Sequence, residues 1–155
     1  MKLTIMFCML LVASVSLTMT ANAQERKLQH KDLPAKVRAA FDRETAGATV
    51  KEYSTEKEKG ITTYEAEWVV DGRSKDVSVD ASGNVLEIEE QVSMDSLPES
   101  VRNALTATAA GGTIGKIESL TKKGAIVAYE AVVTTGKKRR EIQVGPNGEK
   151  LARPQ

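Results

Sequence analysis

Acidic side chains recur at alternate positions in the middle of this 155-residue chain. Glu65 and Glu67 fall on one face of a predicted strand, and Glu87, Glu89 and Glu90 lie on a later strand. Two carboxyl groups with separated pKa values can act as general acid and general base when a pocket encloses them. A sheet face offers no such enclosure. We therefore predict a protein that is not an enzyme and has no catalytic residue.

Histidine and cysteine, which could also take part in catalysis or bind metal, each occur once. His30 stands in a polar segment before the first predicted helix, where a serine–histidine–acid triad has no apparent partners. Cys8 lies in the apolar N-terminal segment, and one histidine cannot hold a structural zinc ion. Segment 80–84, Asp-Ala-Ser-Gly-Asn, lacks the further acidic ligands of an EF-hand and is typical of a hairpin turn. The sequence predicts no metal site and no cofactor.

The densest run of charge is Lys-Lys-Arg-Arg at residues 137–140. It follows a predicted hairpin turn, so alternate side chains point to opposite faces of a strand. Lys137 and Arg139 could contact an acidic partner or anionic lipid headgroups. The alternative is a solvated edge strand whose positive charges oppose aggregation.

The spacing of aromatic residues separates a core face from an exposed face. Tyr64 and Trp68 alternate with Glu65 and Glu67, so the aromatic side is predicted to pack against a helix. The glutamate side is then exposed and available to a partner. Together with the basic run, this predicts the following partner-binding residues: Glu65, Glu67, Glu87, Glu89, Glu130, Lys137 and Arg139.

The N-terminal segment is typical of an export signal. Lys2 precedes an apolar stretch, and Ala21-Asn22-Ala23 matches the small-residue cleavage pattern. A transmembrane anchor is the competing interpretation, but it needs roughly 20 apolar residues, and five serines and threonines dilute this stretch. We predict a cleaved signal peptide over residues 1–23 and a periplasmic or secreted mature protein that is not inserted in the membrane.

Charge is balanced overall but uneven along the chain. Residues 24–93 contain 11 Lys/Arg against 15 Asp/Glu, and residues 94–155 contain 10 against 6. Nucleic-acid binders usually show a basic excess across the domain, so a nucleic-acid partner is not expected. A surface with both signs of charge can steer a charged partner protein. Two solvated faces without a partner would give the same composition.

Short segments recur at a shift of 64 or 65 residues. Leu-Pro-Ala-Lys-Val-Arg at 33–38 matches Leu-Pro-Glu-Ser-Val-Arg at 97–102, and Ala-Gly-Ala-Thr-Val at 46–50 matches Ala-Gly-Gly-Thr-Ile at 110–114. Tyr-Glu-Ala occurs at 64–66 and again at 129–131. We interpret the mature chain as a polar lead-in at 24–32 followed by two repeats, 33–93 and 94–155.

Each predicted repeat begins with a helix and continues as an antiparallel meander. Leu33, Val37 and Phe41 share one helix face, and Asp32 and Ser96 are predicted to cap the two helices. Strands are expected near 50–56, 61–70, 75–80 and 85–90, and again at 125–134, 138–144 and around Leu151. The predicted fold class is α+β: two tandem repeats, each a helix followed by three to four antiparallel strands, with the helices packed on one sheet face.

These features resemble the PepSY-like group of exported bacterial proteins, related in fold to the β-lactamase-inhibitory protein. The resemblance rests on the signal peptide, the paired Leu-Pro-x-x-Val helix starts, the Tyr-Glu-Ala strands and the glycine turn before each last strand, and it spans about 33–151. It implies an exposed sheet face open to a protein partner, and inhibition or regulation of a peptidase. The mature chain lacks the disulfide cysteines of the β-lactamase inhibitor.

From these observations we predict a non-enzymatic periplasmic protein that recognises a protein or peptide in the cell envelope through its sheet face. The resemblance extends this prediction to inhibition or regulation of a peptidase. One alternative is an envelope protein that senses a small molecule or metal for a signalling system. A third hypothesis, an enzyme that uses Glu65 and Glu87, would need a pocket that the sequence does not indicate.

Overall fold

The computed structural model describes residues 26–58 and 60–155. The predicted signal peptide and its cleavage site lie outside the described residues. The helices are α1 (Ala35–Thr45) and α2 (Glu99–Ala109), with single 3-10 turns at His30–Asp32 and Met94–Ser96. The strands are β1 (Arg26–Leu28), β2 (Val50–Glu58), β3 (Ile61–Val70), β4 (Arg73–Asp80), β5 (Val85–Val92), β6 (Thr113–Lys122), β7 (Ala125–Thr135) and β8 (Lys138–Val144).

Over the described residues the strands form one eight-stranded antiparallel sheet, in which spatial order follows chain order from β1 to β8. Tight turns connect several neighbours. Asp71 and Gly72 join β3 to β4 with φ angles of 49° and 77°, a backbone that suits a two-residue hairpin. The register is irregular in three strand pairs, β2–β3, β4–β5 and β6–β7, and such bulges increase the local bend and twist.

Cross-strand pairing defines a covered face, because directly opposed residues point to the same side of a sheet. Ala66 pairs with Val77, and Val77 with Ile88. Four residues further along β5, Val92 pairs with Ile117, which continues the same side into β6. Both helices therefore pack on one face of the sheet. Trp68, only 1% exposed, lies on that face, as its alternation with Glu67 predicted.

The helices supply the apolar cover of this face. Val37 and Phe41 of α1 are fully buried against β3 and β4, and Val101 and Leu105 of α2 are fully buried in a cluster with β6, β7 and β8. Apolar residues four positions apart lie on one side of a helix, which is why each helix buries a stripe. A glycine follows the last turn of each helix, in the left-handed region.

The predicted fold class of two tandem repeats is wrong. The described chain forms a single continuous eight-stranded antiparallel sheet with two short helices. The expected boundary near residue 93 lies between β5 and β6, and these two strands pair with each other, from Ile88 opposite Thr121 to Val92 opposite Ile117. The sequence matches reflect similar helix starts and turns in the two halves, but backbone pairing joins both halves into one sheet.

Several local predictions also need correction. Asp32 and Ser96 do not cap the helices: each lies in a 3-10 turn, and Ser96 Oγ donates instead to the Ser93 carbonyl oxygen at 2.8 Å. Leu151 is not in a strand, because the backbone folds into a turn at Gly145, whose amide donates to the Glu149 carbonyl oxygen at 2.8 Å. The polar lead-in contains a strand, β1, which pairs with β2.

His30 also has partners that its sequence surroundings did not indicate. Its Nε2 lies 2.7 Å from Oδ1 of Asp42 on α1, and its ring centroid lies 5.6 Å from that of Tyr53. These contacts link the segment before α1 to the helix and to β2. The histidine therefore has a structural role on the helix side of the sheet.

The turn between β4 and β5 lies directly against α1, and this contact generates a prediction about stability. Gly83 has a φ of 79°, and a Cβ added there would stand 2.6 Å from the Lys36 carbonyl oxygen. Gly72 has a similar φ of 77° with nothing within 4 Å. Gly72→Ala should cost about 1 kcal/mol for its backbone alone. Gly83→Ala should cost at least about 1 kcal/mol more, because the steric clash is added.

Urea unfolding of the two variants and the parent protein checks this difference. Equal losses of unfolding free energy in both variants would show that the β4–β5 turn does not depend on close contact with α1.

Candidate functional site

The side of the sheet opposite the helices, here called the open face, is strongly acidic. Strand alternation and cross-strand pairing bring Glu52, Glu67, Asp76 and Glu89 into one row across four neighbouring strands. The open face consists of these four residues and further side chains on the same side: Glu65, Ser78, Glu87, Glu118, Leu120, Glu130 and Gln143.

The open face is concave. A cavity of about 750 Å³ is lined both by Glu56 of β2 and by Gln155, whose backbone amide donates to Gln143 Oε1 of β8 at 2.9 Å. Residues from opposite ends of the sheet therefore border one space. Ile61 and Leu86, 66% and 38% exposed, also line this cavity and give its wall an apolar part.

A smaller space, here called the acidic hollow, adjoins this cavity. It has a volume of about 30 Å³ and is lined by Glu65, Asp76, Ser78, Glu87 and Glu89. Ser78 and Glu87 line both spaces. The hollow is thus a polar extension of the larger cavity, with four carboxyl groups and one hydroxyl around it.

Three carboxyl groups meet beside the hollow, from three adjacent strands. One carboxylate oxygen from each of Asp76, Glu89 and Glu118 lies within 4.8 Å of the others. Glu118 is only 5% exposed, and its Oε1 lies 2.7 Å from Lys116 Nζ. Leu120 pairs with Glu89 and is itself 2% exposed, so an apolar side chain borders this group of acids.

Burial and mutual repulsion shift the ionisation of these groups. Burial, a side-chain hydrogen bond with Glu87 and the charge of Glu118 raise the pKa of Glu89 to about 8. Burial and the neighbouring charge of Glu67 raise the pKa of Asp76 to about 6, although Lys116 acts in the opposite direction. Burial also raises the pKa of Glu130. Near neutral pH the open face therefore holds protons that solvated carboxylates would have released.

Lysines at the margin of the acids compensate part of this charge. Lys51 Nζ lies 2.5 Å from Glu67 Oε1, and Lys122 Nζ lies 2.8 Å from Glu87 Oε2. Chemically, the arrangement offers oxygen ligands to a hard cation and hydrogen-bond acceptors to an ammonium or guanidinium group.

The structure brings together most of the predicted partner-binding residues. Glu65, Glu87 and Glu89 line the acidic hollow, and Glu67 and Glu130 lie on the same open face. Lys137 and Arg139 do not join them, because they belong to the exposed tip of the β7–β8 hairpin.

Sequence reasoning missed Asp76 and Glu118. Asp76 has a local signal, since it alternates with the buried Val77 and shares its phase with Ser78. Glu118 has none, because it reaches the other acids only through the pairing of β5 with β6. In the same region Lys116, which contacts Glu118 and lies 3.5 Å from Ser74 Oγ, was also missed.

Comparisons with known proteins place the chain by fold. No family model matches its sequence, and no curated protein matches it. A BLIP-like protein of Bacteroides fragilis (BLIP being the β-lactamase-inhibitory protein) is similar in structure, with a TM-score of 0.56, 24% identity, and coverage of 75% of this chain and 81% of that one. A DUF2874 family protein of Bacteroides ovatus gives a TM-score of 0.61 at 20% identity, covering 76% and 84%.

A third similar structure is a Bacteroides eggerthii protein described as “putative periplasmic”, with a TM-score of 0.62, 19% identity and coverage of 76% and 85%. The chain thus has a BLIP-like fold, as the resemblance implied. The PepSY part of that resemblance gains no support, because no family model matches. Within the described residues, no helix is long and apolar enough to cross a membrane.

The raised pKa of Glu89 generates a prediction about stability and pH. The folded protein holds this proton more tightly than the unfolded chain, so ionisation destabilises the fold. Its contribution to stability is therefore lost as the pH rises from about 4.5 to about 8. Glu89→Gln should remove this loss and stabilise the protein at pH 8.5 by about 1–2 kcal/mol, since partial solvation reduces the full effect.

Thermal unfolding of parent and variant between pH 5 and 9 measures this effect. Glu99→Gln, an exposed change on α2, is the matched control and should keep the slope of the parent. If Glu89→Gln keeps that slope too, the buried acid is not what makes stability depend on pH.

Proposed function

We propose that this is a non-enzymatic binding protein of the periplasm that recognises a protein partner through its open face. The observation that carries the proposal is that helices cover only one of the two sides of the sheet. The helices cover the apolar core on one side, whereas the other is concave, open and lined by polar side chains. A concave sheet surface fits a convex protein surface or an inserted loop.

Exposed apolar side chains on the open face support this proposal. Ile61 and Leu86 line the large cavity, and Val69, paired with Ser74 of β4, is 53% exposed. Protein interfaces combine such apolar anchors with polar surroundings. Acidic side chains alone would not indicate a partner, because water can solvate them. The combination of exposed apolar side chains with acidic side chains on one concave surface favours a macromolecular partner.

The comparisons support the location and the mode of binding. The predicted signal peptide and the periplasmic description of the B. eggerthii protein agree on export. The B. fragilis protein is described as BLIP-like, which names its fold after an inhibitor protein. We extend the proposal to inhibition or regulation of a peptidase, since a partner surface held in the concave face would be closed to other ligands.

The alternative, an envelope protein that senses a metal or small molecule, has one observation in its favour. This is the approach of Asp76, Glu89 and Glu118 to one another. Lys116 already neutralises part of their charge, which weakens the case for a dedicated cation site. Thermal unfolding with and without 1 mM calcium chloride separates the two: a large rise in the midpoint would favour ion sensing over protein binding.

Site-specific photocrosslinking tests the proposal of a partner-binding open face. A photoreactive phenylalanine analogue is introduced at Leu86 or Ile61 on the open face and at Ser100 on α2 as the control, and the protein is irradiated in the native envelope. We expect one discrete adduct from both open-face positions and none from Ser100, because only the open face contacts the partner.

Mass spectrometry of the adduct identifies the partner and its contacting residues. The proposal fails if the adduct forms from Ser100 alone, or if no open-face position gives a discrete product under conditions where the protein is folded and exported.

A further inference from the structure

We infer that the outer edge of β8 binds an acidic, extended segment of a partner protein, which adds to the sheet as a further strand. The surface is the exposed half of β8, here called the basic edge, and consists of Lys138, Arg139, Arg140 and Glu141. None of these residues lines the large cavity or the acidic hollow of the open face. The inference therefore goes beyond the proposed function and concerns a second binding surface.

The backbone of the basic edge has hydrogen-bonding groups to offer. β7 is the only neighbour of β8 in the described part of the sheet. A two-residue turn joins the two strands, and Thr135 pairs with Lys138 across it. The pair that closes such a turn exchanges backbone hydrogen bonds, and hydrogen-bonded pairs then alternate along the strands. The backbone groups of Lys138 and Arg140 therefore bond to β7. Those of Arg139 and Glu141 point away from the sheet.

The residues that follow β8 do not take up these outward groups. After β8 the backbone turns at Gly145, and the amide of Gln155 donates to Oε1 of Gln143 at 2.9 Å, beyond the basic edge. Within the described residues, the backbone hydrogen bonds outside helices and strands do not involve 138–141. An extended segment can therefore hydrogen-bond to this edge as strands do within the sheet.

The charge of the edge selects an acidic segment. Lys137, Lys138 and Arg139 are exposed, and among the described residues their side chains form no hydrogen bond or ion pair. The residues opposite them on β7, Thr134 and Thr135, are uncharged. The neighbouring cations therefore repel one another without compensation, and acidic side chains on an added strand would relieve this repulsion.

Positive charge on an edge strand also opposes pairing between copies of the same chain. β1, the opposite edge of the sheet, is only three residues long and begins with Arg26 and Lys27. A second copy would thus meet like charge at either edge of the sheet. The same cations that disfavour self-association leave a segment of opposite charge, from another protein, as the strand that fits.

The pattern along the edge specifies the segment further. Arg140 differs from its neighbours, because its Nη2 donates to the carbonyl oxygens of Thr108 at 2.9 Å and Ala109 at 3.2 Å, at the end of α2. Directly opposed charges of opposite sign stabilise strand pairs. The segment that fits therefore has two adjacent acidic residues opposite Lys138 and Arg139. It has an uncharged residue opposite Arg140 and a cation beyond it.

Fluorescence anisotropy with defined peptides tests the inference. The probe is fluorescein-labelled Thr-Glu-Glu-Val-Lys-Val-Glu-Glu-Thr, which presents the expected pattern in both strand directions. In one comparison peptide glutamine replaces glutamate, and in another the backbone amides of the probe are N-methylated. The full mature protein should bind the probe at least tenfold more tightly than either, because the first lacks the charge and the second lacks the backbone donors.

A pair of charge-matched variants locates the binding. K138Q/R139Q should weaken binding of the probe at least tenfold. The control K36Q/R43Q removes one lysine and one arginine from exposed positions on α1 and should change binding less than threefold. Circular dichroism confirms that both variants fold. Equal weakening by both variants would overturn the inference. Equal affinity for the N-methylated peptide would also overturn it, since charge attraction without strand addition would then account for binding.

Vesicles of phosphatidylglycerol and phosphatidylcholine in equal amounts test an anionic membrane as the competing partner. If the protein binds these vesicles, loses this binding in K138Q/R139Q, and does not bind the probe, the basic edge is a membrane contact and the inference is wrong.

Photocrosslinking from Leu86 separates the inference from the proposed function. We expect K138Q/R139Q to leave the open-face adduct unchanged, because the two surfaces are distinct. An adduct without probe binding refutes the inference alone. Probe binding without an open-face adduct refutes the proposed function alone.

Discussion

Continuous antiparallel pairing is the constraint on which the rest of this structure depends. Because every strand pairs with its neighbours in the chain, each strand residue is committed to one side of a single sheet. Two helices cover one side and bury Trp68, Val77 and Ile142 there. The side chains of the alternate residues therefore point to the other side of the sheet. The open face therefore results from strand alternation. The backbone hydrogen bonds that fix the core residues of each strand also fix the positions of the residues that carry its carboxyl groups.

This constraint explains why the acids are crowded. Bulges in three strand pairs bend the sheet, and a concave surface brings side chains closer than a flat one. Asp76, Glu89 and Glu118 meet on this side and share few cations, so repulsion is stored in the folded protein. This repulsion persists because the backbone pairing of the sheet fixes the three strands beside one another.

Local features could be predicted from the sequence, whereas the strand register that joins the two halves of the sheet could not. The alternation of Trp68 with Glu67, the Asp71-Gly72 turn and the apolar stripe of α1 each depend on residues close in sequence. The matches at a shift of 64 fall on such local features and suggested two tandem repeats. The decisive contact is Ile88 opposite Thr121, a pairing of residues far apart in sequence that leaves no periodic signal.

The same reasoning explains which parts of the candidate site could not be predicted from the sequence. Strand alternation places the five predicted glutamates on one side of the sheet, but only Glu65 is exposed there, and the other four are half-buried. Glu118 occupies a nearly buried position only because β6 lies beside β5, and Leu120 next to it lowers the local polarity around Glu89. A carboxyl group acquires an unusual pKa from neighbours, and here these neighbours come from three strands. The acidic hollow is thus a tertiary property: the sequence contains its residues, but only the joined sheet brings them together.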